Sequence, residues 1–246
     1  MHSRDAFLHV VDREMANLPS ETVAQMVERA GGMDRVYLLL VDILNGFCKE
    51  GPLASDRVGG MVEPVTRLAQ SLVEAGLPGS HLLFLQDDHL PDAKEFSAFP
   101  PHCIRGSAEA ETVDRLQPFL NISGVRLFRK NATSALFSQD EQGVQLFQLL
   151  DDVFERGPAT FLVVGDCTDL CIYQNAMGIR LLANERNADV RVVVSKEHTR
   201  TYHTPVEVAE EQGIPAHDGD LLESIFLYHM KINGIEVVAT IEGEQG

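Results

Sequence analysis

Tryptophan is absent from the 246 residues, so no binding site here is built on an indole. Basic residues are scarce. Lys and Arg number 20 against 37 Asp and Glu, a formal charge of −17. A chain this acidic lacks the basic face that phosphate needs, which excludes nucleic acid as a partner and argues equally against docking on anionic lipid. Cysteine occurs only four times, as Cys48, Cys103, Cys167 and Cys171. That is too few for a disulfide scaffold at this length, and it points to a reducing compartment with reactive or ligand thiols. No apolar run reaches the ~18–20 residues of a membrane span. The longest, Val36 to Leu44, has strand length and is broken by Asp42. The opening MHSRDAFLHVVDREM is charged throughout and lacks the apolar core of a signal peptide. The expected location is the cytoplasm.

What is present is a repeating pattern. Short apolar runs lie at Val36–Val41, His81–Gln86, Val125–Phe128, Thr160–Val164, Val190–Val194 and Ile235–Ile241. Runs of this length bounded by polar residues read as strands buried on both faces. Between them, apolar residues recur at helical spacing over Met61–Ala75, Val144–Phe154, Leu170–Ala183 and Leu221–Lys231. Alternation of this kind predicts an α/β three-layer sandwich, with a central, mostly parallel sheet of about six strands and helices on both faces. Residues 1–34 read as an N-terminal helical extension, stopped by Gly31-Gly32, and 35–246 as the main domain. Residues 203–220 read as a long polar connection of functional, oligomeric or merely packing role.

In open parallel sheets, ligands bind outside the carboxyl ends of the strands. Asp42 follows the first strand, as an active-site acid or a loop cap. The second strand runs into QDDHLPDAKEF and then FPPHC. Asp87 and His89 project to the same side of an extended segment. With His102 they make an oxygen/nitrogen set suited to zinc, iron or manganese, and Glu95 is a possible extra carboxylate; the alternative is a polar loop with solvated histidines. Lys130 ends the third strand, facing Asp42 or solvent. After the fourth strand comes DCTDLCIYQNA, which puts Cys171 at a helix N-terminus. There the helix dipole and a neighbouring cation lower a thiol pKa, and backbone N–H groups can form an oxyanion hole. Cys167 and Cys171 could also be a redox pair, metal ligands or small buried hydrophobes.

Four segments, in order, resemble the isochorismatase-like cysteine hydrolases, in their nicotinamidase (pyrazinamidase) branch. VDILNGFCKEGPLA is similar to VDxQNDFxxGGxL, and QDDHLPDAKEFSAFPPHCIRGSAEAE to DxH…HFS…WPxHCxxGTxGAE. RKN matches the strand-end lysine, and VVGDCTDLCIYQNA is similar to VVGxATDxCVxxTA. The resemblance implies Cys171 as nucleophile, Asp42 as general base and acid, and Lys130 as the third member. It implies an oxyanion hole from the Cys167 and Cys171 amides, with a cis peptide at Asp166–Cys167. It implies a divalent metal ion, zinc first and iron or manganese next, on Asp87, His89, His102 and Glu95. It further implies a small-molecule amide substrate, nicotinamide first, and a homo-oligomer. The chain departs from the motifs at Leu44, Gly46, Phe99 and Cys167. Phe47, Leu53, Phe99 and Phe137 would form the slot for a flat ring. The alternative is a cysteine hydrolase of the same family acting on another carbamoyl or ureido amide.

Overall fold

The computed structural model describes residues 3–243; positions 1–2 and 244–246, at the ends of the two expected ranges, lie outside it. In chain order the strands are β1 (Glu21–Thr22), β2 (Val36–Val41), β3 (Leu82–Asp87), β4 (Arg126–Lys130), β5 (Gln139–Asp140), β6 (Ala159–Asp166), β7 (Val190–Arg200), β8 (Glu236–Val238) and β9 (Ile241–Glu242). Seven form one sheet in the order β5-β4-β3-β2-β6-β7-β8, parallel except for β5. This is the expected mostly parallel sandwich. The added strand, β5, is an antiparallel edge only two residues long, too short to leave an apolar pattern.

Side chains alternate along a strand, so each strand feeds two cores. Tyr37, Leu39 and Val41 enter one, with Leu150, Ile179 and Leu227 from helices Leu146–Glu155, Tyr173–Arg186 and Gly219–Ile232. Val36, Leu38 and Leu40 enter the other, with Val65, Leu68 and Leu72 from helix Val62–Glu74. The N-terminal residues form two helices that divide between the cores. Val11 and Met15 of Ser3–Ala16 join the first, and Val23 and Met26 of Val23–Ala30 the second. The second helix starts on a reciprocal cap: Thr22 Oγ1 accepts from the Gln25 N–H, and Gln25 Oε1 from the Thr22 N–H. β1 pairs in parallel with β9, tying this region to the end of the described chain.

Three differences from the expected elements bear on the site and its surroundings. β7 runs on to Arg200, six residues past the apolar stretch. The run Ile235–Ile241 splits into β8 and β9, which belong to different sheets. The connection 203–220 contains a helix, Val206–Gln212. No helix among the described residues is long and apolar enough to cross a membrane.

One glycine lets the sheet close behind the strand ends. Gly165 has φ +125°, and a Cβ there would lie 1.9 Å from the Val41 carbonyl oxygen. Any side chain meets both the wrong φ and fixed backbone. Gly165→Ala is expected to cost about 2 kcal/mol or more, read as a lower urea midpoint; an unchanged midpoint contradicts this packing.

Candidate active site

Strand register assembles the site. β3 and β4 pair Asp87 with Lys130 at their carboxyl ends. Next to them, the Asp42 N–H donates to the Leu85 carbonyl at 2.9 Å. Asp42 sits at φ +53°, a left-handed conformation that Asp tolerates better than most residues. Its Oδ1 accepts from the Asp87 N–H at 2.8 Å, which fixes the carboxylate against the strand end. Lys130 Nζ then lies 2.7 Å from Asp42 Oδ2, 2.5 Å from Asp87 Oδ1 and 3.6 Å from Cys171 Sγ. All four residues are buried, Lys130 to 1% exposure.

Cys171 stands in a wide turn, Thr168–Ile172, that leads straight into helix Tyr173–Arg186. The peptide before the turn, Asp166–Cys167, is cis. Asn175, fully buried, locks the turn to the loop after β4: its Nδ2 donates to the Cys171 carbonyl at 2.7 Å, and its Oδ1 accepts from the Ala135 N–H at 2.9 Å.

Burial and charge set the protonation states. Burial raises the Asp42 pKa and Asp87 adds to it, against Lys130, leaving it at about 6. Burial also works against the charge on Asp87, but the opposing pull, led by Lys130, outweighs it and holds this carboxyl well below the usual range. Lys130 stays charged, because Asp42 and Asp87 overcome its desolvation. Cys171 departs from expectation. Burial pushes its thiol up, and the pull of Lys130 does not reverse that. The helix terminus and the neighbouring cation do not offset the burial, so Cys171 is a buried neutral thiol beside a carboxylate able to take its proton.

Asp87, His89 and His102 converge, each offering one ligand atom within 4.8 Å of the others. His102 Nδ1 donates to the Pro100 carbonyl at 2.8 Å, which leaves the Nε2 lone pair free, 3.8 Å from Asp87 Oδ2. Both ring nitrogens of His89 are buried without a hydrogen bond among the described residues, although Nε2 lies 3.4 Å from Asp87 Oδ1. Such a histidine is costly unless something accepts its lone pair. The donor set therefore fits a divalent cation. Glu95 lies apart from this group but lines the same cavity, half-buried.

The cavity over Cys171 is lined by Phe47, Leu53 and Phe99, together with Asp87, Glu95, His102 and Cys167. Phe137 is corrected. It is 75% exposed and packs against Phe147, because its backbone belongs to the turn leading to β5, outside the cavity. Three residues the sequence reading missed complete the wall: Thr133, Leu170 and Tyr202. Leu170 precedes Cys171 and was legible from the turn. Tyr202 follows the true end of β7, where no apolar pattern marks the strand.

The family model described as Isochorismatase domain matches residues 36–196. Nicotinamidase 1 of Arabidopsis thaliana is 32% identical over 222 residues, covering 85% of this chain and 87% of that protein. The nicotinamidase/pyrazinamidase of Mycobacterium tuberculosis is 31% identical over 151 residues, covering 56% and 75%. The crystal structure of the pyrazinamidase of Pyrococcus horikoshii in complex with zinc superposes with a TM-score of 0.58 at 18% identity, covering 83% of this chain and 99% of that one.

Proposed function

The chain belongs to the isochorismatase domain family, and from that premise we propose that it hydrolyses nicotinamide to nicotinate and ammonia through a thioester on Cys171. The observation that carries this reading is the buried contact of one ammonium, Lys130, with both the Asp42 carboxylate and the Cys171 thiol. The relatives named nicotinamidase supply the substrate.

Asp42 takes the thiol proton as sulfur attacks the amide carbon, and Lys130 offsets the charge developing on sulfur. The N–H groups of Cys167 and Cys171 receive the oxyanion. Asp42 returns the proton to the departing ammonia, then draws one from the water that opens the thioester. Phe47, Leu53 and Phe99 exclude bulk water and flank the ring. Asp87, His89 and His102, with Glu95 nearby, would hold a divalent ion, zinc by preference. When bound, it supplies a Lewis acid at the cavity wall that can anchor an electron pair of the substrate.

The test is ammonia release from nicotinamide, pyrazinamide and a set of ureido amides, with metal analysis of the same sample. Turnover of nicotinamide supports the reading; turnover of ureido amides alone replaces it with the carbamoyl-amide alternative. Prolonged chelation is expected to lower nicotinamide turnover by about tenfold or more, restored by zinc. Unchanged turnover in metal-free protein would make His89 and His102 structural.

A further inference from the structure

Tyr202 lies in no element that the proposed reaction uses, yet it walls the cavity and is held in place with unusual completeness. Its ring stacks on the His217 imidazole, with centroids 3.8 Å apart and planes 20° from parallel. His217 cannot turn. Its Nδ1 lies 3.0 Å from the Tyr202 carbonyl and its Nε2 2.8 Å from Asp169 Oδ2, so both ring nitrogens are engaged. Asp169 is two residues before Cys171, and its other oxygen accepts from the Thr201 hydroxyl at 2.5 Å. Backbone bonds run both ways between Thr204 and His217, at 2.8 and 2.9 Å, and close the intervening loop. The segment carrying helix Val206–Gln212 is thus clamped, through His217, to the turn that holds the thiol.

The other rings at the cavity are oriented differently. Phe47 and Phe99 meet His102 edge to face, at 62° and 77°. They shield the metal-ligand group and present apolar surface that a flat or a puckered guest can touch. Tyr202 is the wall residue backed by a parallel ring. A ring clamped in this way costs no rotamer freedom when a ligand meets it, and where a guest lies on its free face the gain depends on the guest being flat.

Resting on the amide-pocket reading above, we propose that Tyr202, held by His217 and Asp169, is a specificity-determining wall that selects planar aromatic carboxamides over saturated ones of equal size. His217 is a positioning residue that acts through Tyr202.

The experiment measures binding, so it stands apart from turnover. In chemically inert Cys171→Ala protein, calorimetry gives Kd for benzamide and for cyclohexanecarboxamide. Benzamide is expected to bind more tightly. Tyr202→Leu should cut that preference by about fivefold, mainly by weakening benzamide, and Tyr202→Phe should keep it. His217→Leu should lower the preference similarly, and the double variant should lose no more than Tyr202→Leu alone. An unchanged preference in Tyr202→Leu, an equal loss for both ligands, or no binding of benzamide overturns the proposal. If His217→Leu fails to fold, the two Tyr202 variants decide. Absence of ammonia release from the unsubstituted protein would sink the hydrolase reading and leave this binding result standing.

Discussion

Cys171→Ala is expected to reduce ammonia release from nicotinamide by roughly 10⁴-fold or more, with melting temperature and metal content nearly unchanged. The size follows from what remains. An alanine leaves the cavity, the donor set and the backbone amides in place, so binding and part of the oxyanion stabilisation survive, but no atom is left to form the acyl intermediate. Stability should hardly move, because the thiol's polar contacts are with Lys130 and Asp42, which remain paired with each other without it, and the loss of one small buried atom is modest. The arrangement also explains why sulfur suits this place. The thiol is pushed up by burial and Asp42 is pushed up to about 6, so the carboxyl is a stronger base than a free carboxylate just where a reluctant proton must move. Ammonia release combined with intact mass, under nicotinamide, checks both halves: the unsubstituted protein should show a mass increase on Cys171 and the variant none. Activity retained within about tenfold would remove Cys171 from the nucleophile role.

The strands that position the reacting groups were legible because they are buried on both faces. Val36–Val41 and Thr160–Val164 carry almost nothing but apolar residues, and polar residues follow where each strand leaves the core, Asp42 directly after the first and Asp166, past Gly165, after the second. Those exits mark Asp42, Asp87 and Lys130, the helix start after Thr160–Val164 marks Cys171, and the structure brings all four together. The same rule failed at β7. Its last residues, SKEHTR, satisfy their backbone in the sheet but point polar side chains into buried bonds, such as Ser195 to His198 at 2.7 Å and Thr199 to Thr168 at 3.0 Å. A strand stabilised by specific polar pairs has no hydrophobic signature. Its end was therefore read six residues early, and Tyr202 went unseen. Phe137 failed for the opposite reason: aromatic character suggested a slot, but a residue in the turn before an edge strand is carried outward. His217 was out of reach altogether, because its partner Asp169 is 48 residues away in sequence and only tertiary structure joins them.

Lys130→Met should both unfold the protein more easily and stop the reaction, and a second substitution separates the two effects. Lys130 is the cation between two carboxylates whose side chains are 1% and 2% exposed. Removing one partner of a buried ion pair costs about 3–5 kcal/mol, because the charge left behind has neither water nor a counter-ion. Asp87 keeps the two histidines; Asp42 keeps only the Asp87 N–H and the Cys171 thiol, so Asp42 is the group that must change. It is expected to take up a proton, since burial and Asp87 already raise its pKa and only Lys130 opposes them strongly. A protonated Asp42 cannot accept from the thiol, so kcat should fall by about 10²–10⁴-fold. The midpoint in urea should fall together with it. Adding Asp42→Asn removes the unpaired carboxyl, and the double variant should regain much of the lost stability while staying inactive, because stability depends on charge balance and turnover on a base at that position. A loss below about 1 kcal/mol in Lys130→Met would mean that the pair is solvated and Lys130 is a surface-like cation. Recovery of activity in the double variant would remove Asp42 from the proton path.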